Sequence, residues 1–381
     1  VGEYESRVSK LRVALRAANV DVALISDPDA VAYFAGFWNY LGMDFGRPTL
    51  LVIPQDTDPV LITPLMESEM CSLMTWIKDI RPWADGIDDE WRKPLREVLE
   101  TSKVKRLGIE RAKMPPLVSA ALPVDADCLT DIGQIIFDLR TIKSESEITT
   151  MKQAGQVAVA MVQAAKEVIR EGVPEYEIAL AVIAGGTRKA ASFLDEHVDR
   201  FVSPTIYNLQ ILQSGRDVCL VHRRSSVRKL RRGDPVYLCF CGIANFKNYK
   251  LGFDREFFVG SVTDEQARIY EAAVAAQQAA LAQIRPGVRC DDVNAAAEQV
   301  YKDAGFAPGY RTGRSIGYSF LETPELKRGD QFEIDREQTD GPCSSAVLDV
   351  HACPCNCLDG SFAIPGRGQR SARIGGSRRR T

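Results

Sequence analysis

Hydrophobic positions recur at helical spacing at the start of the chain. Residues 5–18 put Val8, Leu11, Leu15 and Ala18 on one face, with Ala14 beside them, the pattern of an amphipathic helix. Val20–Ile25 follows as an apolar strand, and Pro28–Phe34 reads as a short helix. Thr49–Ile53 and Val60–Ile62 are strands on either side of the turn Asp56-Thr57-Asp58-Pro59, and Lys105–Ile109 is another. Helix and strand alternating in this way predict an α/β domain over residues 1–140. The polar stretch Ile142–Glu147 then opens a long helical pattern, and Ser144 with Glu147 has the spacing of a capping box. Helical periodicity covers 147–171 and 174–184, strand-like runs cover 217–221 and 235–241, and further helices cover 263–283 and 290–304. This second half, residues 141–381, reads as an α+β domain of paired long helices against an antiparallel sheet.

Composition changes this picture little. The 381 residues are 45% hydrophobic and 26% charged, as in an ordinary soluble protein of two or three domains. A net charge of −3 argues against nucleic acid as a partner, and no apolar run is long enough to span a membrane. The acidic start lacks the apolar stretch of a signal peptide. Cys71, Cys219, Cys239, Cys241 and Cys290 read as buried thiols of a reducing compartment, so the expected location is cytoplasmic.

Five motifs carry a resemblance. They are Arg140 to Ser144 opening a helix; Gln213-Ser214-Gly215 followed by His222; Leu230 to Asp234 opening a strand; Asp254-Arg255 leading into Phe257 to Gly260; and Leu326 to Asp330 leading into Phe332 to Asp335. In that order and spacing, over residues 5–335, they resemble creatinase within the aminopeptidase P, prolidase and methionine aminopeptidase superfamily. The resemblance implies a small N-terminal α/β domain followed by a catalytic domain of the pita-bread fold. Metal-using members hold two divalent ions with two Asp, one His and two Glu. The matching positions here carry Cys239, Gly252, Arg314, Asp335 and Gly375. A glycine has no ligating side chain and an arginine repels a cation, so neither a metal nor another cofactor is expected.

The resemblance also supplies roles. His222 matches the catalytic histidine of the metal-independent branch, able to take and return a proton near neutral pH, and the adjacent Arg223 and Arg224 would lower its pKa. Asp254 and Asp335 match two catalytic acids that bind a cationic substrate group. Phe45-Gly46-Arg47 matches a Phe-Gly-Arg whose Phe45 and Arg47 would hold the substrate carboxylate, reaching the neighbouring subunit of a homodimer. Arg314 is a second candidate for the carboxylate, with Arg311 as an alternative. The bland readings are a surface histidine in a basic turn, an Asp254–Arg255 salt bridge and an exposed Arg47.

The implied activity is metal-independent hydrolysis of a linear C–N bond in a small carboxylate-bearing guanidino or amidino substrate. Creatine, cleaved to sarcosine and urea, is the leading candidate; the enzyme would be an amidinohydrolase and not a peptidase. The alternatives are a metal-dependent Xaa-Pro dipeptidase or aminopeptidase, an ectoine-type amidine hydrolase, and a non-catalytic binding protein. Residues 337–381 depart from the family pattern, with four cysteines, a glycine-rich run and a basic end. Cys353, Cys355 and Cys357 with His351 lack ordinary zinc spacing, and a change of reading frame near residue 336 is the preferred account of this tail.

Overall fold

The computed structural model describes residues 2–206, 211–220, 222–240, 244–309, 311–319, 322–334 and 348–350. The chain divides into two compact units, Val1–Arg140 and Thr141–Thr381.

The first unit runs α1 (Glu3–Ala17), β1 (Val22–Ile25), α2 (Pro28–Ala35), α3 (Tyr40–Phe45), β2 (Leu50–Pro54), β3 (Val60–Pro64), α4 (Ser68–Met74), β4 (Asp79–Trp83), α5 (Arg92–Thr101), β5 (Leu107–Ile109), α6 (Pro116–Ser119), β6 (Leu129–Asp131) and α7 (Gly133–Thr141). Its six strands form one mixed sheet in the order β4-β3-β2-β1-β5-β6. β1 pairs antiparallel with β2 and parallel with β5, which in turn runs parallel to β6. Every residue of β1, β2, β3 and β5 is buried, which is why these strands read as continuous apolar runs in the sequence. The face of α1 predicted to be apolar is the one buried, through Val8, Leu11 and Leu15. Asp27 caps α2 by accepting from the Ala30 N–H at 3.1 Å, and Pro28 occupies the first helical position, where no amide hydrogen is needed.

The second unit opens with α8 (Glu145–Val168) and α9 (Glu175–Ala191), followed by β7 (Ile211–Ser214), β8 (Pro235–Cys239), β9 (Ala244–Phe246), β10 (Tyr249–Leu251), β11 (Asp254–Phe258), α10 (Asp264–Gln283), α11 (Cys290–Asp303), β12 (Arg311–Ser315), β13 (Glu322–Lys327) and β14 (Leu348–Val350). The capping box at α8 forms as its spacing predicts: the Glu147 N–H donates to Ser144 Oγ at 3.2 Å and the Ser144 N–H to Glu147 Oε2 at 2.8 Å. Helices α8 and α9 approach closely because Gly185 and Gly186 have no side chain. A Cβ at Gly185 would stand 2.7 Å from the Cβ of Ala164, and one at Gly186 2.7 Å from Met161 Cγ. Their apolar faces bury Val157, Met161, Ile178 and Val182 with Leu212, Val236 and Leu238 of the sheet β11-β8-β7. A second core gathers Ala273, Ala276 and Ala280 of α10 with Val293 and Ala297 of α11 and Leu326 of β13, against the sheet β13-β12-β14.

Two sequence readings change. Residues 217–220 form no strand: Gly215–Asp217 is a short 3-10 turn, and the chain then turns again. The strand of this region is Ile211–Ser214, on the N-terminal side of that turn. Polar Gln213 and Ser214 hide it in the sequence, although both are buried. From the atypical tail, Leu348–Val350 adds a strand antiparallel to β12; His351, Cys353, Cys355 and Cys357 lie outside the described residues. Cys71, Cys239 and Cys290 are buried thiols, while Cys219 is only half-buried. Burial, aided by Glu67, pushes the Cys71 thiol up to about 12, far from a reactive thiolate.

Candidate functional site

His222 sits in the exposed turn between β7 and β8 with φ +64°, a left-handed conformation uncommon outside glycine. The turn is fixed by the residue after it. The Arg223 N–H donates to the Leu220 carbonyl at 3.1 Å, and the Arg223 carbonyl accepts from the Leu212 N–H of β7 at 3.1 Å. The guanidinium of Arg223 turns inward to Glu175, Nη1 to Oε2 at 2.8 Å, and donates from Nη2 to Ser226 Oγ at 3.0 Å.

Asp254 opens β11, buried, directly across the ladder from Cys239 of β8. The neighbouring guanidinium of Arg255 donates to the Asp254 backbone carbonyl at 2.6 Å and lies over the Phe253 ring. Arg314 lies in β12 and is 8% exposed, in register with Glu325 of β13 and Asp349 of β14. Arg311, three residues earlier, is paired with Glu325 at 2.8 Å. Asp335 lies outside the described residues, as does Gly375.

Phe45 and Arg47 belong to the first unit. Phe45 ends α3, exposed and edge-on to Tyr40 with ring centroids 5.4 Å apart. Gly46 takes the left-handed cap that ends the helix. Arg47 forms a salt bridge to Asp85 at 2.9 Å with its side chain 40% exposed, so the guanidinium is held but accessible.

A buried polar group in the second unit escaped the sequence reading. Lys143 pairs with Glu322 at 3.1 Å, their side chains 3% and 2% exposed. Glu322 also accepts from the Ser319 N–H at 3.1 Å. The Tyr249 hydroxyl donates to Glu147 at 2.9 Å and its ring packs edge-on against Tyr318, while Lys250 reaches the Tyr318 carbonyl at 2.6 Å. The start of α8, the β9–β10 hairpin and the loop after β12 are thereby tied together. The Lys143-Ser144 motif was visible as a helix opening; its ion-pair partner, 179 residues away, was not.

The profile of Metallopeptidase family M24 matches residues 149–341, and that of the Creatinase/Prolidase N-terminal domain matches residues 7–142. A Xaa-Pro dipeptidase of Lactobacillus delbrueckii subsp. lactis is 26% identical, with 89% of this chain and 88% of the relative covered. A creatinase of Bacillus sp. (strain B-0618) is 28% identical, with 83% and 74% covered. The solved X-Pro aminopeptidase of Thermotoga maritima superposes with a TM-score of 0.75 at 21% identity, over 94% of this chain and 92% of that one, a likeness of fold. The N-terminal α/β domain followed by the pita-bread domain is therefore as expected.

The expectation of a creatinase-like amidinohydrolase that is not a peptidase is overturned. The matching family is one of metallopeptidases, and the dipeptidase matches over more of both chains than the creatinase does.

The family name implies a metal, and the described donors do not fit one. Gly252 is buried with no side chain to offer, and the buried guanidinium of Arg314 brings positive charge to the β12 position that the resemblance matches to a metal ligand. Cys239 faces Asp254 across the ladder, leaving one thiol and one carboxylate. Among the described residues no group of three or more His, Cys, Asp or Glu is placed to hold a metal ion, and a divalent centre needs several anionic donors. Among the same residues, no helix is long and apolar enough to cross a membrane. Whatever chemistry its second unit performs, this chain belongs to metallopeptidase family M24.

Proposed function

We propose that the chain hydrolyses the C–N bond of a small substrate bearing a free carboxylate, of the Xaa-Pro dipeptide class. The observation that carries this is the likeness to a Xaa-Pro dipeptidase across both units, covering 89% of this chain. In this reading His222 takes the proton from the attacking water and returns it to the leaving nitrogen, a role that suits an imidazole near neutral pH. Asp254 is its acidic partner in the second unit, and Arg314 supplies positive charge as the carbonyl oxygen becomes an oxyanion. Arg47 reaches the neighbouring subunit, as the resemblance implies, and receives the substrate carboxylate there, exchanging its partner Asp85 for it. The homodimer expected from the resemblance belongs to the same proposal.

The test is turnover of alanyl-proline, with creatine as a parallel substrate, in chelated protein and in protein supplied with manganese, cobalt or zinc. Cleavage of the dipeptide and not of creatine is expected. His222→Gln is expected to lower turnover roughly 10²-fold or more with little change in KM. Creatine cleavage alone, or full turnover in the His222 variant, would sink the reading.

A further inference from the structure

Glu175 opens α9 with its side chain wholly buried, and four groups converge on its carboxylate. Ser214 Oγ at the end of β7 donates at 2.6 Å, the Ser226 N–H at 2.9 Å and its hydroxyl at 2.7 Å, and Arg223 Nη1 at 2.8 Å. The helix N-terminus adds favourable dipole charge. Around this centre the segment after His222 is laid down as a strap. The Tyr176 N–H donates to the Ser226 carbonyl at 3.1 Å and the Glu175 N–H to the Arg228 carbonyl at 2.9 Å. Arg228 spans Ser214 Oγ at 2.6 Å and Asp234 at 2.8 Å. Gly215 suits the position beneath it, with a left-handed φ of +60° and a Cβ direction that points at the Arg228 guanidinium.

His222 lies at the outer end of this strap. A histidine at φ +64° is a strained residue that persists only where its surroundings over-determine it. Here the residue next to it is held by side chain, by N–H and by carbonyl. An ornamental surface turn has no need of a wholly buried carboxylate clamping it from within. We propose that Glu175 is a positioning residue: through Arg223 and Ser226 it holds the 222–228 strap in the one conformation that presents the His222 imidazole for proton transfer. This deepens the reading of His222 given above and rests on it.

The experiment uses the full chain. In Glu175→Gln the charge is lost and one of the two acceptor oxygens is kept; in Arg223→Gln and Ser226→Ala the strap's own side-chain grips are removed. All are measured below their melting temperatures, with circular dichroism to verify folding. The expected result for Glu175→Gln and Arg223→Gln is a 10- to 100-fold fall in kcat on alanyl-proline, order-of-magnitude for a misplaced proton-transfer group, with KM within about twofold. A role limited to stability would lower the melting temperature and leave kcat intact. Long-range 1H–15N spectra of the imidazoles, with the His222 signal identified by its absence in His222→Gln, supply a readout independent of turnover. A shifted His222 signal in the Glu175 and Arg223 variants is expected. Folded variants with wild-type kcat and an unmoved His222 signal would overturn the proposal, and should Glu175→Gln fail to fold, the Arg223 and Ser226 variants decide alone. If His222→Gln itself keeps full turnover, the catalytic reading fails, while the imidazole spectra still decide whether Glu175 positions the ring.

Discussion

Two buried glutamates, one in each unit, receive opposite treatment. Glu175 is met by an arginine, two hydroxyls and a backbone N–H, all within 2.9 Å of one carboxylate oxygen or the other. Glu110, which follows β5, is 6% exposed, and its Oε2 has no hydrogen-bond partner among the described residues. Burial pushes its carboxyl up to about 7, and the like charges of Asp27 and Asp131 push the same way, only partly opposed by Arg140 and Lys113. Lys113 stands instead 4.0 Å from Asp27. The difference lies in contact. A cation that shares hydrogen bonds with a buried carboxylate offsets its desolvation, while a cation acting only through the field does so in part. In the first unit Glu110 is thus a buried carboxyl raised to about 7, while in the second Glu175 is bonded on both oxygens.

The largest blow to the paired side of this contrast is Lys143→Met. It leaves Glu322 buried without its ammonium, and the expected loss is about 3–5 kcal/mol, read from urea unfolding of the full chain. A loss below about 1 kcal/mol would mean that the pair is not buried as described.

Glu110→Gln sharpens the unpaired side. Glu110 binds its proton more tightly folded than unfolded, so its stabilising contribution is fully present below about 4.5 and is lost as pH rises through about 7. The amide mimics the protonated form at every pH. The variant should match the wild type near pH 4.5 and exceed it by up to about 3 kcal/mol above pH 8. An unchanged difference between pH 5 and pH 8 would contradict the assignment.

Gly215→Ala probes the strap around Glu175. With φ +60° and a Cβ directed at the Arg228 guanidinium, the expected cost is about 1–3 kcal/mol, seen as a lower melting temperature. The smallest effect belongs to the exposed pair: Arg47→Ala should change stability by less than about 1 kcal/mol. On the proposed function it should nevertheless raise KM for a carboxylate substrate, by the few kcal/mol typical of a truncated charged contact, and leave an uncharged analogue alone. Equal KM changes for both would remove Arg47 from carboxylate recognition.

What the sequence determined by itself was local or repetitive. The apolar face of α1, the capping box of Ser144 and Glu147, and the run of buried strands in the first unit could all be read. Each depends on residues within about four positions of one another, or on a period set by the backbone. The order of motifs likewise placed the chain in its superfamily. The pairing of buried charge was decided only by the tertiary structure. Arg223 stands next to His222 in the chain, and in the fold its guanidinium pairs with Glu175, 48 residues away. Lys143 and Glu322 meet only when the segment leading into α8 and the start of β13 come together. A long cationic side chain can satisfy any carboxylate its stem can reach, so adjacency in sequence says little about its partner. Desolvation selects the partner, and desolvation exists only once the core has closed around the pair.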